Sequence, residues 1–298
     1  MQKYLFIILF ALTLSAALTL SANNITPYTL NPKHKSLKHI KILDAKELHF
    51  SNIHELSALA YKNNTLYALN DKGILYHFTI DLTHNKINKL TLQKKLLLQA
   101  KHYKTKRIDS EGMTRIKNTL LVSFEKDPHI ELFSLNGKSK KLKKKYKLSK
   151  KLKDPKKYIN PNKMLEAVTY NPTYGVISAP EKPFHNKSYH TLYSAKKKWK
   201  IKKEGGISAM TFISKNKLLI LQRKFDFFTR RRVVTLTLLN LKNNKSKILA
   251  RFDSKDGWKL DNFEGLTKIK DNIYLMVSDD NNSFFQKTLL VLFQIQNP

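Results

Sequence analysis

Acidic residues are scarce in this chain, with 22 Asp and Glu against 56 Lys and Arg, so the places where they recur carry information. Five pairs stand at similar spacing: Glu55 with Asp71, Glu111 with Glu125, Glu166 with Glu181, Ser208 with Arg223, and Glu264 with Asp279, separated by 16, 14, 15, 15 and 15 positions. If each pair marks the start of one strand and the end of its antiparallel neighbour, both members fall at one end of a hairpin. Carboxylates gathered in this way repel unless a cation compensates them. Ligands that are all oxygen, in a chain without cysteine, favour Ca²⁺ or Mg²⁺ over zinc, and Ca²⁺ is the expected ion. Glu55, Glu111, Glu166, Glu264 and Asp279 are the candidate metal ligands. Lys72 and Lys126 directly follow closing carboxylates, and Arg223-Lys224 fills the fourth slot. These four bases suit the oxygens of a phosphate ester or another anionic small molecule. Asp109 or Glu125 would then position water beside a metal acting as Lewis acid, which is phosphoester hydrolysis. The alternative is that the same carboxylates cap backbone amides and hold a non-catalytic binding module together.

The elements that must position these residues read as strands. Segments beginning at His54, Asp109, Met164, Gly205 and Asp261 share one pattern. A polar residue and a small residue precede an apolar run, a polar turn leads to a second run, and a charged pair closes the segment. That is a β-hairpin. A third β-rich run follows each one, at 74–80, 129–135, 190–195, 232–239 and 288–295. The anchors Glu55, Glu111, Glu166, Ser208 and Glu264 lie 56, 55, 42 and 56 residues apart. Units of this length with three or four strands are blades of a β-propeller. The expectation is an all-β fold, a single five-bladed propeller over 38–298, closed by an N-terminal strand at 39–50. A sixth thin blade and an open sandwich are the alternatives. Four of the five hairpins then place two carboxylates at one mouth of the channel, with Asp109, Asp261 and Asp280 on the same rim. Gly112 and Gly265 each follow a motif Glu, which points to close backbone approach there.

The formal charge of +34 invites a nucleic-acid reading, but only seven of the 56 bases are Arg, the residue that base readout favours. No specific nucleic-acid binding is expected. Hydrophobic residues make up 41% of the chain, enough for a sizeable core. Met1-Gln2-Lys3, the apolar run Tyr4–Leu20 and the small residues after it have the layout of a secretory signal peptide over 1–22. A linker at 23–37 would follow, and the mature chain would be periplasmic or secreted. An uncleaved anchor is the alternative, because 17 apolar residues reach the lower limit of a membrane span. No later segment is apolar enough to cross a membrane, and the chain is expected to be a monomer. Twelve lysines crowd the 20 residues from Lys138 to Lys157, a solvated loop or a docking patch for an anionic envelope polymer. The stretch from Lys224 to Arg232 reads as a hairpin loop, with a cover over the mouth or an anion site as alternatives. There is no G-x-S-x-G elbow, no H-E-x-x-H and no phosphate-binding Gly loop.

The sequence resembles the esterase-like activity of phytase family, a phytase-like propeller domain of exported bacterial proteins. The resemblance rests on ELSALAY with LYALNDKGILYHF, DSEGM with LLVSFEKDPHIELFSLNG, LEAVTYNP with APEKP, ISAMTF with LLILQRKFD, and DNFEGL with SDDN. It extends over about Leu48 to Ile295. What it implies is a propeller with recurrent acidic residues and a phosphoesterase or phosphodiesterase activity. Ser208 in place of Glu, and Ala58 where Gly is usual, depart from the family pattern.

Overall fold

A computed structural model describes residues 24–33, 35–101, 108–185 and 187–296; the signal peptide expected at 1–22 lies outside them. The described chain forms five antiparallel sheets, the blades of a propeller, as expected. From the channel outwards, the first blade is Leu56–Lys62, Thr65–Asn70, Ile74–Asp81 and Lys89–Leu97. The second is Ser110–Ile116, Thr119–Phe124, His129–Ser134 and the two-residue strand Ser139–Lys140. The third is Leu165–Asn171, Gly175–Pro180, Tyr189–Tyr193 and Lys198–Lys202, and the fourth is Gly206–Ser214, Lys217–Asp226, Arg231–Asn240 and Lys245–Asp253. The fifth takes Asn262–Lys270, Ile273–Asp279 and Leu289–Ile295 from the end of the chain and Ile40–Leu48 from its start.

Ring closure is therefore by the N-terminal strand. Ile40 lies opposite Ile295 and Glu47 opposite Leu289. The stretch read as a linker also carries structure: Ile25–Pro27 adds a fifth strand, with Ile25 facing Leu48. Alternating apolar residues and tight turns set the hairpins. Asn63 and Asn64 both take left-handed backbone (φ 46° and 59°), the geometry of a two-residue turn whose twist matches the strands.

The core lies between blades. Five buried clusters are found among the described residues, each joining two neighbouring sheets. Phe263, Tyr274 and Phe293 of the fifth blade pack on Leu219 and Leu236 of the fourth, while Leu275 and Leu292 meet Leu59 and Tyr76 of the first. Burial of this kind contributes roughly 1.5–3 kcal/mol per large side chain, so removing one blade would expose two apolar faces at once.

Candidate functional site

Every innermost strand carries a β-bulge at the same height. The register slips at Ser57, at Glu111-Gly112, at Glu166, at Ser208 and at Glu264. A small residue follows in each blade: Ala58, Gly112, Ala167, Ala209 and Gly265. The five strands converge there, and the small residues let them. A methyl group on Gly112 would sit 2.5 Å from the Glu166 carbonyl oxygen, and one on Gly265 would sit 2.6 Å from Val277. The resulting throat holds only about 10 Å³ of free space, so the acidic mouth is a blind cup.

The registers correct one pairing read from sequence. Asp71 donates its amide to the Glu55 carbonyl at 3.2 Å, as Glu125 does to Asp109 at 2.9 Å and Glu181 to Met164 at 3.0 Å. Gly206 faces Arg223, and Asn262 faces Asp279. Glu55 is thus the counterpart of Asp109, and the first blade's counterpart of Glu111 is Ser57. The separation of 16 in that repeat was the signal, because counting from Ser57 makes it 14. Glu55 stands at the rim with left-handed backbone (φ 60°), its carboxylate paired with Lys72. Asp280 ties this turn to the fifth blade. It accepts from the Glu55 amide at 3.0 Å and from Thr288 at 3.0 Å, with His54 Nδ1 at 2.7 Å.

Arg223 divides the mouth. Its Nη2 lies 2.6 Å from Glu264 Oε1 and 3.8 Å from Glu166 Oε1. Burial alone would lower its pKa, yet Glu264, Glu166 and Glu181 raise it, so the guanidinium stays charged. Burial pushes Glu181 up, but Arg223, Lys182 and Lys163 outweigh that and hold it below its ordinary value. Lys163 Nζ is 3.0 Å from Glu181 Oε2. Asn262 donates to Glu264 at 2.8 Å and to Asp279 at 3.3 Å. Burial and Glu264 nevertheless push Asp279 to about 8. Glu166, Glu181, Glu264 and Asp279 therefore gather around one guanidinium.

The other half has no such centre. Asp109, Glu111 and Glu125 each offer a carboxylate oxygen, and these oxygens lie within 4.8 Å of one another. Lys126 approaches Asp109 at 3.1 Å, and Glu125 accepts from the Met164 amide at 2.8 Å. Glu111 receives no hydrogen bond from another described residue. Burial, then Glu264, Glu125 and Asp109, raise its carboxyl well above the usual range. Burial and the neighbouring Asp109 push Glu125 to about 7. Burial and Glu55 push Asp71 to about 6, and its Oδ1 is buried without a partner. An all-oxygen donor set in which burial first, and neighbouring carboxylates second, raise Glu111 and Glu125 suits a hard divalent cation, whose charge would offset both.

A cleft of about 840 Å³ opens beside Glu264, and its wall is basic: Lys163, Arg223, Lys224, Arg230 and Arg232 line it with Phe225 and Phe285. Of the four bases expected to meet an anion, Arg223 and Lys224 face this cleft, whereas Lys72 and Lys126 lie against Glu55 and Asp109. Arg230 belongs to the Lys224–Arg232 stretch, which does form a hairpin loop and also lines the cleft, the anion site being its alternative reading. Lys163 and Phe285 escaped the sequence reading; they come from loops of two other blades, and no local pattern joins them to it.

A five-bladed propeller with a closed throat and a crowded acidic mouth defines the class of protein. Residues 51–282 match the family described as "Phytase-like: Esterase-like activity of phytase", and the chain belongs to that family. No curated protein matches it. Among solved structures it is similar to the RRP9 WD40 repeats, at 5% identity and a TM-score of 0.47, covering 87% of this chain and 98% of that one. It is also similar to the Dos1 propeller, at 8% identity and a TM-score of 0.36, covering 82% of this chain and 68% of that one. A chain of the mitotic checkpoint complex matches at 8% identity and a TM-score of 0.39, covering 81% of this chain, which spans 62% of that one.

Proposed function

We propose that this chain is an exported, metal-dependent phosphoesterase that works at the acidic mouth. The observation that carries the reading is the trio Asp109, Glu111 and Glu125, three carboxylates within 4.8 Å of one another and beyond the reach of Arg223's ion pairs. These residues would hold a divalent cation, and Ca²⁺ is the natural choice for oxygen ligands on a propeller rim. A cation there supplies Lewis-acid polarisation of a phosphoryl oxygen. The residues first read as ligands in the other half, Glu166, Glu264 and Asp279, would instead fix Arg223 and shape the cup.

Lys224, Arg230 and Arg232 would bind phosphate oxygens from the cleft side. Asp71 is suited to take a proton from water, since burial and Glu55 bring it to about 6, near neutrality, and one of its oxygens has no partner among the described residues. Export is supported by the cationic start, the apolar run Tyr4–Leu20 and the small residues Ser21 and Ala22.

The test compares wild type with Glu111→Gln in thermal melts with EDTA, Ca²⁺ or Mg²⁺, alongside hydrolysis of a phosphodiester and a phosphomonoester. Wild type should gain stability with metal, by about 2.7 kcal/mol at a hundredfold excess over Kd. The variant keeps the shape but loses one of three crowded charges. Its metal-free form should be at least as stable as wild type, its response to metal should vanish, and turnover should fall about a hundredfold or more. A wild-type melt indifferent to EDTA, Ca²⁺ and Mg²⁺ would overturn the reading and leave the non-catalytic binding propeller.

A further inference from the structure

Two loops rise from the same face as the acidic mouth, and their tips expose apolar rings to water. On the fourth blade, the turn between Asp226 and Arg231 presents Phe227 and Phe228, with Phe228 94% exposed. On the fifth, the loop after Asp279 presents Phe284 and Phe285, at 97% and 89% exposure. Neither tip is loose chain. Asp226 accepts from the Thr229 amide at 3.0 Å, and Arg230 closes the first turn with left-handed backbone (φ 52°). In the second, Ser283 donates to the Asp280 carbonyl at 2.9 Å, and Asn281 donates to Gln286 at 3.0 Å. Hydrogen-bonded turns that hold large apolar side chains outward mark a surface with a partner.

Cations are interleaved with the rings. Arg230 stacks 4.8 Å from the Phe227 centroid and Arg232 5.1 Å from that of Phe225. Lys224 and Arg230 are exposed and make no ion pair among the described residues. The cleft runs between the two tips, lined by Phe225 on one side and Phe285 on the other. A stable protein interface covers roughly 800 Å² per partner around a charge-depleted centre. Two protruding aromatic tips separated by a basic cleft suit a bilayer instead, where rings reach the acyl boundary and cations meet lipid phosphates.

The path of the chain agrees. Asn24 accepts from the His49 amide at 2.8 Å, and Leu48 donates to the Thr288 carbonyl at 2.9 Å. The first described residue thus lies at the end of the fifth blade that carries the Phe284–Phe285 loop. The described chain therefore enters the propeller on this face.

We propose that the acidic-mouth face docks on an anionic phospholipid bilayer, with Phe227, Phe228, Phe284 and Phe285 inserted and Lys224, Arg230 and Arg232 on the headgroups. The mouth and its cleft would then open onto the headgroup layer. Docking shares Lys224, Arg230 and Arg232 with the phosphate site proposed above but none of the carboxylate trio, so loss of the metal response would leave it standing.

The whole surface is cationic, at +34 formal charge, so adhesion at low salt proves nothing. Insertion is apolar, and salt does not screen it. The experiment sediments the protein with vesicles of phosphatidylglycerol and phosphatidylcholine, or of phosphatidylcholine alone, at about 0.15 M and about 0.5 M salt. Wild type should stay on the anionic vesicles at both. The variant Phe227→Ser, Phe228→Ser, Phe284→Ser, Phe285→Ser removes only exposed side chains, so its melt should match wild type. It should partition about a hundredfold less at the higher salt. As a second readout, Phe228→Trp should give blue-shifted emission that brominated acyl chains quench. Leu142→Trp, in the lysine-rich segment, should not be quenched. Equal salt release of wild type and the serine variant, or an unquenched Phe228→Trp, would overturn the proposal. A Phe-dependent dimer by light scattering without vesicle binding would also overturn it, assigning the tips to a second copy of this chain.

Discussion

Replacing Arg223 by Gln removes the guanidinium around which half the mouth is arranged. In the folded chain its Nη2 reaches Glu264 at 2.6 Å and Glu166 at 3.8 Å. Both carboxylates are buried, so the variant leaves charges without a partner or obliges them to take up protons. Removing one member of a buried pair costs about 3–5 kcal/mol. The Arg223 side chain is 23% exposed and retains some water, which places the expected loss near the lower end. For a domain of this size, a loss of about 3 kcal/mol lowers Tm by roughly 6–12 °C. The loss should depend on pH. Burial already raises Glu264, with Arg223 holding it down, and burial and Glu111 raise Glu166. On acidification both take up protons and the value of the guanidinium falls. The penalty should therefore be smaller at about pH 5.5 than at about pH 8. Urea unfolding of wild type, Arg223→Gln, Glu264→Gln and the double variant at both pH values gives the coupling directly. A loss below about 1 kcal/mol at the higher pH, or an equal loss at both, would refute the claim that Arg223 neutralises this half of the mouth.

Further outcomes follow from the same geometry. Folded Glu125 (about 7) and Asp279 (about 8) lie above their ordinary values of 4.5 and 3.8, so their protonated forms favour the folded state. That stability is complete below the unfolded values and lost as pH rises through the folded ones. EDTA-treated protein should then melt higher at about pH 5.5 than at about pH 8, by about 2 kcal/mol from Glu125 alone, and saturating Ca²⁺ should flatten or reverse the trend. Gly112→Ala puts a methyl group 2.5 Å from the Glu166 carbonyl and 2.6 Å from Ser123 Oγ, so the second and third blades must separate. Its melt should fall by several degrees with metal or without, whereas Gly175→Ala, with open space around it, should lose only what its left-handed backbone (φ 76°) costs, about 1 kcal/mol.

Much of this architecture can be read from the chain because it rests on local pattern. Alternating apolar runs around Asn63-Asn64 or Asn272 declare a hairpin whatever surrounds them, and the run at 39–50 was left over once five repeats had been counted. The height of the bulge could not be read so directly. An extra residue in an innermost strand changes the hairpin count by one or two, which variation in turn length also does. Glu55 was for that reason aligned with Glu111, although the Ser57-Ala58 pair already matched Ser208-Ala209. Contacts between blades escaped altogether. Arg223 joins Glu166 and Glu264 from the two adjacent blades, and Phe225 faces Phe285 across the cleft. Such partners are set by the closing of the ring, and nothing in the residues around either one announces the other.

The departure from the repeat gives the mouth a direction. Five identical blades would present a uniform acidic ring with no preferred place for a cation. With Ser208 at the bulge and Arg223 in the closing slot, the fourth blade contributes no acid and one fixed guanidinium. Its neighbours on either side supply Glu166, Glu181, Glu264 and Asp279 to that guanidinium. Among the described residues the far side has no buried guanidinium: Asp109, Glu111 and Glu125 crowd together there with Asp71 beside them, and Lys126 forms an ion pair with the trio, at Asp109. Because the throat below is closed by Ala58, Gly112, Ala167 and Ala209, a ligand can reach the trio only from the mouth face. That face carries the basic cleft and the Phe tips. An ion held by the trio would be reached from that one side only.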